Sequence, residues 1–206
     1  MKETWVIKIG SSLVTKSNTG LNTKNIKSWV AQINQIINNN INVIIVSSGA
    51  IAEGMNRLGL GKRPNSSSQL QALAAIGQMG LVKAYEVAFK KYNILTAQML
   101  LTHEDLSDRT RYLNARNTLS NLIKYNTVPI INENDTISTD EIKFGDNDTL
   151  ASLVANLSEA KLLVMLTDQN GLYTSDPKIK KTSKLINSIY VSDKNLKKYA
   201  GPSNSE

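Results

Sequence analysis

The alternation of short apolar runs with longer helical patterns is the feature that most constrains how this chain can fold. Thr4 to Ile9 alternates β-forming residues, while Asn42 to Val46 and Lys161 to Leu166 are continuous apolar runs typical of buried parallel strands. Between them lie stretches with apolar residues at helical spacing, such as the one from Thr23 to Asn38. The alternation predicts an α/β fold, a three-layer sandwich around a largely parallel sheet.

The same patterns place the remaining elements. Further strands are predicted from Ile94 to Leu101 and from Val128 to Ile131, and further helices from Ala50 to Leu58, Ser68 to Tyr92, Ser107 to Lys124 and Asn147 to Ala160. Thr23 and Ser107 are the predicted N-caps of their helices. Because no repeat and no linker interrupts the pattern, we expect one domain over residues 1–206.

Composition excludes several classes of protein. Hydrophobic residues make up 41% and charged residues 20% of the chain, as in ordinary globular proteins. There is no cysteine, so disulfides and thiolate metal sites are excluded, and we interpret His103, the single histidine, as a loop residue. The net charge of +7 comes from scattered lysines without interleaved aromatic residues, so we expect no nucleic-acid binding.

The sequence also bears on location. It has no run of 18 apolar residues, which predicts no membrane-spanning helix, and no apolar leader precedes the first strand. We therefore expect a cytoplasmic protein without a membrane partner.

Small or polar residues directly follow each of four predicted strands. These clusters are Gly10–Ser12, Ser47–Gly49, Asn134–Asp135 and Thr167–Asp168. In open parallel sheets, ligands bind beyond the carboxyl ends of the strands. We therefore expect the four clusters to converge on one ligand site.

Each cluster also has an ordinary explanation. Lys8 and the Gly10-Ser11 turn can offer an ammonium and free backbone N–H groups to a phosphate, or Lys8 can be a surface residue at a strand end. Ser47 and Ser48 can bind a carboxylate or phosphate at a helix N-terminus, or simply cap that helix. The segment alone does not separate these interpretations.

The acidic and amide residues are similarly ambiguous. Asn134–Asp135 and Gly145–Asp148 can hold an amino group or carry Mg²⁺ through water, or they can be turns. Thr167 and Asp168 suit nucleotide recognition, although a strand-end turn uses the same residue types. The usual phosphate-loop motif is absent, because Gly59-Leu60-Gly61-Lys62 is followed by arginine.

Together these clusters resemble the amino-acid kinase superfamily and, within it, the glutamate 5-kinase family. The segments that carry the resemblance are Val6–Ser12, Val46–Gly54, Asn132–Asp135, Phe144–Asp148 and Leu166–Tyr173. The runs Ser-Ser-Gly-Ala-Ile-Ala-Glu-Gly and Phe-Gly-Asp-Asn-Asp favour glutamate kinases over sister kinases that act on carbamate, aspartate, acetylglutamate or UMP. The resemblance implies ATP-dependent phosphorylation of the γ-carboxylate of L-glutamate, the first step of proline biosynthesis.

The resemblance also implies residue roles. Lys8 and Asp146 would be catalytic; Ser48, Asp135 and Asn147 would bind glutamate; Lys8, Gly10, Ser11, Thr167 and Asp168 would contact the nucleotide. ATP and Mg²⁺ are the implied cofactors, with no resident metal site. L-glutamate as substrate, proline as feedback inhibitor and a homo-oligomer are implied by the resemblance alone.

One departure concerns the end of the chain. The family continues beyond a Gly/Ser-rich loop into a Gly-Thr-Gly-Gly-Met segment and a second lysine, whereas this chain ends at Ala200–Glu206. We expect a kinase domain that is incomplete at its C-terminus, from a fragment or from a decaying gene. The alternative function is a non-catalytic remnant or fragment that binds glutamate without turnover.

Overall fold

The computed structural model describes residues 2–16, 20–138 and 147–199. They divide into two compact units, one ending at Leu166 and one beginning at Thr167. The first unit contains β1 (Thr4–Ile9), α1 (Ser11–Val14), β2 (Thr15–Lys16), β3 (Gly20–Leu21), α2 (Thr23–Asn38), β4 (Asn42–Ser47), α3 (Ala50–Arg57), α4 (Ser67–Lys90), β5 (Thr96–Leu101), α5 (His103–Ser107), α6 (Arg109–Lys124), β6 (Val128–Glu133), α7 (Asn147–Leu157) and β7 (Leu162–Leu166).

The first unit is built on a five-stranded sheet in the order β5-β6-β4-β1-β7. Every neighbouring pair of these strands is parallel, and Lys8 of β1 lies opposite Val46 of β4 and Met165 of β7. β2 and β3 form a separate antiparallel ribbon. The predicted parallel α/β sheet is therefore confirmed.

Helices cover both faces of the sheet. Ile7 and Ile9 of β1 pack in one apolar core with α2 and α4, whereas Val6 packs in a second core with α6 and α7. Side chains alternate between the faces of a strand, so Lys8 lies on the same face as Val6, the face that α7 covers. This is the predicted three-layer sandwich.

Several predicted boundaries were wrong. The N-cap of α2 is Asn22, whose side chain accepts a hydrogen bond from the backbone N–H of Asn25. His103 begins α5, a helix absent from the sequence prediction, rather than lying in a loop. Ser107 ends α5, and the N-cap of α6 is Asp108, which accepts from the Arg111 N–H at 2.9 Å.

Two further strand and helix predictions need correction. β7 is an edge strand in the described sheet rather than a buried one, and Leu162 and Met165 are each 41% exposed. α7 ends at Leu157, short of the predicted Ala160.

The second unit is mostly irregular. Tyr173 and Leu185 form an antiparallel bridge, flanked by a bond from the Thr174 N–H to the Lys184 carbonyl at 3.0 Å. A short helix, α8, spans Leu196–Tyr199. In neither unit is a described helix both long and apolar enough to cross a bilayer.

Helices α3 and α4 touch backbone to backbone. A Cβ added at Gly77 of α4 would lie 1.8 Å from the carbonyl oxygen of Ala50, and one at Gly54 of α3 would lie 2.0 Å from the carbonyl oxygen of Leu73. No real Cβ sits so close to an oxygen, so these positions accept only glycine at the observed separation. The contact holds the start of α3, and with it the end of β4, against α4.

We expect Gly77→Ala to destabilise the chain. In an unconstrained helix the change would stabilise by about 0.5–1 kcal/mol, whereas forced overpacking costs about 1–3 kcal/mol. Urea unfolding should show a net loss, while Gly61→Ala, where a Cβ would meet open space, should lose nothing. Equal stability of the two variants would mean that α3 and α4 are not in backbone contact.

Candidate functional site

Lys8 lies near the carboxyl end of β1 and is buried, with a relative exposure of 8%. Its Nζ forms an ion pair with the carboxylate of Asp148, whose side chain is 45% exposed. The interpretation of Lys8 as a surface residue is therefore wrong. A buried ammonium needs a partner, and Asp148, which the sequence patterns marked only as part of the segment Gly145–Asp148, supplies one.

The Gly10-Ser11 turn differs from the expectation. Gly10 directs its N–H to the carbonyl of Leu166 at 3.2 Å, so this group is not free for a phosphate. Ser11 is exposed and begins the four-residue helix α1. The Lys8 Nζ would lie 3.6 Å from a Cβ at Gly10, so the ammonium does lie at this turn.

Ser48 does not cap helix α3. The N-cap is Gly49, whose φ of 112° lies in the left-handed region that favours glycine, and no side chain caps the helix. The N–H of Ser48 donates to the Ile9 carbonyl at 3.2 Å, which ties the β4–α3 junction to the end of β1. The Ser48 hydroxyl takes part in neither contact and can bond to other side chains of the site.

A buried hydrogen-bond network joins four elements at this end of the sheet. The Nδ2 of Asn147 donates to Ser48 Oγ and to Asn132 Oδ1, both at 2.9 Å. The Nδ2 of Asn132 donates to the Oε1 of Gln78, also at 2.9 Å. All four side chains are buried. The structure thus brings the predicted residues Ser48 and Asn147 together.

Asn132 and Gln78 belong to this network, although the sequence patterns did not mark them as site residues. Asn132 stands in the segment Asn132–Asp135 that carried the resemblance, so its position next to the strand end was a usable signal. No sequence signal marked Gln78, because a single glutamine in a helix of both polar and apolar residues is typical of a solvated face. Only the packing of α4 against the sheet buries it.

Ser47 supports the site from the opposite face of β4. Its hydroxyl bonds to the Tyr85 hydroxyl at 3.0 Å and donates to the Ser48 carbonyl at 3.1 Å. Burial raises the pKa of Tyr85 well above its ordinary value, and the hydrogen bond with Ser47 offsets only part of that rise. Tyr85 therefore stays neutral and serves as a rigid support.

The remaining predicted site residues are Asp135, Asp146, Thr167 and Asp168. Asp135 lies partly buried on the turn after β6, three residues beyond Asn132. Asp146 lies outside the described residues. Thr167 and Asp168 belong to the second unit, where the Thr167 hydroxyl donates to the Asp168 carboxylate at 3.2 Å. Their roles stay predictions.

Two grooves of the first unit lie at the opposite edge of the sheet from this network. A groove of about 480 Å³ and a smaller one of about 170 Å³ share Lys2 and Asn42 in their linings, at the amino ends of the strands. The polar network lies at the carboxyl ends. Within the described residues, no group of three or more His, Cys, Asp or Glu side chains is placed to hold a metal ion.

Comparison with known proteins places this chain in a family. The profile of the Amino acid kinase family matches residues 3–201. Glutamate 5-kinase of Nitrosospira multiformis is 55% identical over 98% of this chain and 54% of its own length; that of Aromatoleum aromaticum is 57% identical over 95% and 53%. The chain thus spans about half the length of the curated relatives it matches.

A solved structure shares the fold. Aspartate kinase from Synechocystis matches with a TM-score of 0.56 over 89% of this chain and 31% of that chain. The sequence identity is 14%, so this likeness concerns the fold alone.

Alkaline unfolding tests the support given by Tyr85. Because the pKa of Tyr85 is higher in the folded chain, its contribution is complete below the unfolded pKa of about 10 and is lost as the pH rises further. At pH 8, Tyr85→Phe should cost about 0.5–1.5 kcal/mol in urea unfolding, and this cost should shrink by pH 11. Tyr125→Phe, at a tyrosine 75% exposed, should cost nothing at either pH. A cost that does not change with pH would contradict the assignment.

Proposed function

The chain belongs to the amino acid kinase family, and from that premise we propose that it takes part in the ATP-dependent phosphorylation of the γ-carboxylate of L-glutamate. The product is γ-glutamyl phosphate, the first intermediate of proline biosynthesis. Support comes from the identity to curated glutamate 5-kinases over nearly the whole chain. We propose that residues 1–206 form one kinase domain, in keeping with the family match over residues 3–201.

One observation carries the proposal: the first two residues of α7 join two halves of a site. Asn147 donates to Ser48 in the uncharged amide network, while the adjacent Asp148 holds Lys8. A kinase needs such a junction, because the acceptor and the transferring phosphate must lie in line and close together. We assign glutamate to the side of Ser48, Asn147 and Asp135, and ATP to the side of Lys8.

This phosphoryl transfer needs little covalent or acid–base catalysis from the protein. The γ-carboxylate of glutamate is ionised at neutral pH, since its ordinary pKa is about 4.3, so no general base is required. The demand is instead for orientation and for positive charge beside the transferring phosphate. Lys8 is the cation for this role, and its pairing with Asp148 holds the ammonium in place.

The nucleotide contacts are proposed for Lys8, Gly10, Ser11, Thr167 and Asp168. Mg²⁺ would enter with ATP and offset phosphate charge, because this ion commonly keeps several waters and is held through one or two carboxylates and the substrate's own phosphates. Asp148 is a carboxylate beside Lys8 that suits this role. We also propose Asp146 as an organiser of the reaction centre.

A second candidate is a protein that binds glutamate without turnover. The ion pair of Lys8 with Asp148 favours it, because a paired ammonium presents less net charge to a phosphate. Glutamate-dependent release of ADP separates the two functions. Proline inhibition, self-association and a cytoplasmic location are further proposals, and each rests on the family resemblance.

We expect Asp135→Ala and Asn147→Ala to weaken the binding of L-glutamate at least tenfold in calorimetric titration. Each removes a partner of a substrate polar group, and a buried polar group left unpaired costs about 1–3 kcal/mol. Asn65→Ala, at an exposed asparagine of the α3–α4 loop, should bind as the unmodified chain does. Unchanged affinity in both site variants would show that glutamate does not bind at this site.

We expect Lys8→Met to lower kcat by about a hundred- to a thousand-fold, the usual effect of losing one charge-stabilising group. The KM for glutamate should change far less, because Lys8 acts on the transferring phosphate. The assay is ADP release that depends on glutamate, ATP and Mg²⁺. Lys24→Met, at an exposed lysine of α2, is the matched control. Normal turnover in Lys8→Met would leave Lys8 without a catalytic role.

A further inference from the structure

Gln78 holds a buried side-chain amide of which only one end is bonded. Its Oε1 accepts from Asn132, and 7% of the residue is exposed. Among the residues that the structure describes, its Nε2 has no hydrogen-bond partner. Buried donors are almost always paired, so this one calls for a physical reason.

The hydrogen bonds that run from Gln78 have a direction. Each side-chain amide has one accepting and one donating end. The Nδ2 of Asn132 donates to Gln78, so the Oδ1 of Asn132 is the atom that faces Asn147. The two hydrogens of the Asn147 Nδ2 are donated to Asn132 and Ser48. If Gln78 turned over, two donors would face each other, and Asn132 and Asn147 would have to turn as well. The three side-chain amides therefore all keep this orientation or all turn over together.

The orientation decides what the network offers at Ser48. Because Asn147 donates to Ser48 Oγ, the hydroxyl accepts there and keeps its own proton for another acceptor. The Oδ1 of Asn147 is left as the acceptor of that side chain. An amino acid with a carboxylate and an ammonium needs this combination of one donor and one acceptor.

We propose that Gln78 is a positioning residue that fixes the orientation of the Asn132 and Asn147 amides, so that Ser48 donates to a carboxylate ligand and Asn147 accepts from its ammonium. The identity of that ligand rests on the proposed function. The unpartnered Nε2 is the cost of this orientation, because the accepting end of Gln78 must face Asn132.

The backbone around Gln78 suits this role. The adjacent Gly77 packs directly on the Ala50 carbonyl of α3, so α4 lies in backbone contact with the helix that follows Ser48. Gln78 is thus held against Asn132 of β6 from the neighbouring helix layer.

Three variants separate orientation from packing. Gln78→Met removes the acceptor at similar size, and Gln78→Glu keeps an acceptor for Asn132 while removing the unpartnered donor. Gln69→Met makes the same change at an exposed glutamine of α4. A purely packing role would tolerate both Gln78 substitutions, because each keeps the length and approximate volume of the side chain.

The first measurement needs no ligand. The side-chain NH₂ resonances of Asn132 and Asn147, assigned with Asn→Ser variants, should show wild-type rates of hydrogen exchange with water in Gln78→Glu and Gln69→Met. In Gln78→Met they should move and exchange faster with water. Should Gln78→Met fail to fold, Gln78→Glu alone decides, because hydrogen exchange faster than in wild type there overturns the proposal.

The second measurement is calorimetric titration with L-glutamate. Gln78→Met should raise Kd about tenfold, while Gln78→Glu and Gln69→Met stay within about twofold of wild type. Equal impairment in Gln78→Met and Gln78→Glu, or none in either, overturns the positioning role. If the unmodified chain binds no glutamate, the proposed function fails, and the resonances still decide the role of Gln78.

Discussion

The site depends on the first turn of α7, where two adjacent residues make buried polar contacts in two directions. Asn147 bonds to Ser48 and Asn132, and Asp148 pairs with Lys8. Polar side chains at the ends of three strands therefore bond to one helix at the carboxyl edge of the sheet. Removing any one partner would leave a buried group unpaired, so the arrangement holds as a unit.

The apolar layers make these polar contacts both necessary and effective. β1, β4 and β6 are almost entirely buried, and their side chains fill two cores on opposite faces of the sheet. Polar groups that emerge at the strand ends are cut off from water by those layers and must find partners within the protein. The same low polarity strengthens each hydrogen bond and would strengthen the attraction of Lys8 for a phosphate.

The position of the amide network formed by Ser48, Asn147, Asn132 and Gln78 depends on a second constraint, the close contact of α3 and α4. Glycine at positions 54 and 77 lets the two backbones touch. Ser48 precedes α3 and Gln78 follows Gly77 in α4, so this contact sets the distance between two ends of the amide network. The two glycines, which have no side chain, thereby link the packing of α3 and α4 to the geometry of the amide network.

Sequence patterns by themselves determined the layer architecture, because strand and helix periodicities are local properties that survive without tertiary information. They also placed Lys8, Ser48 and Asn147 at strand and helix ends, where parallel topology makes them converge. Only the tertiary structure decided which polar groups pair: Lys8 with Asp148, Asn132 with Gln78, and Gly10 with Leu166. Pairing depends on burial and on contacts between residues far apart in the chain. A glutamine on a mixed helix or a lysine at a strand end therefore has the same local pattern whether it is solvated or buried.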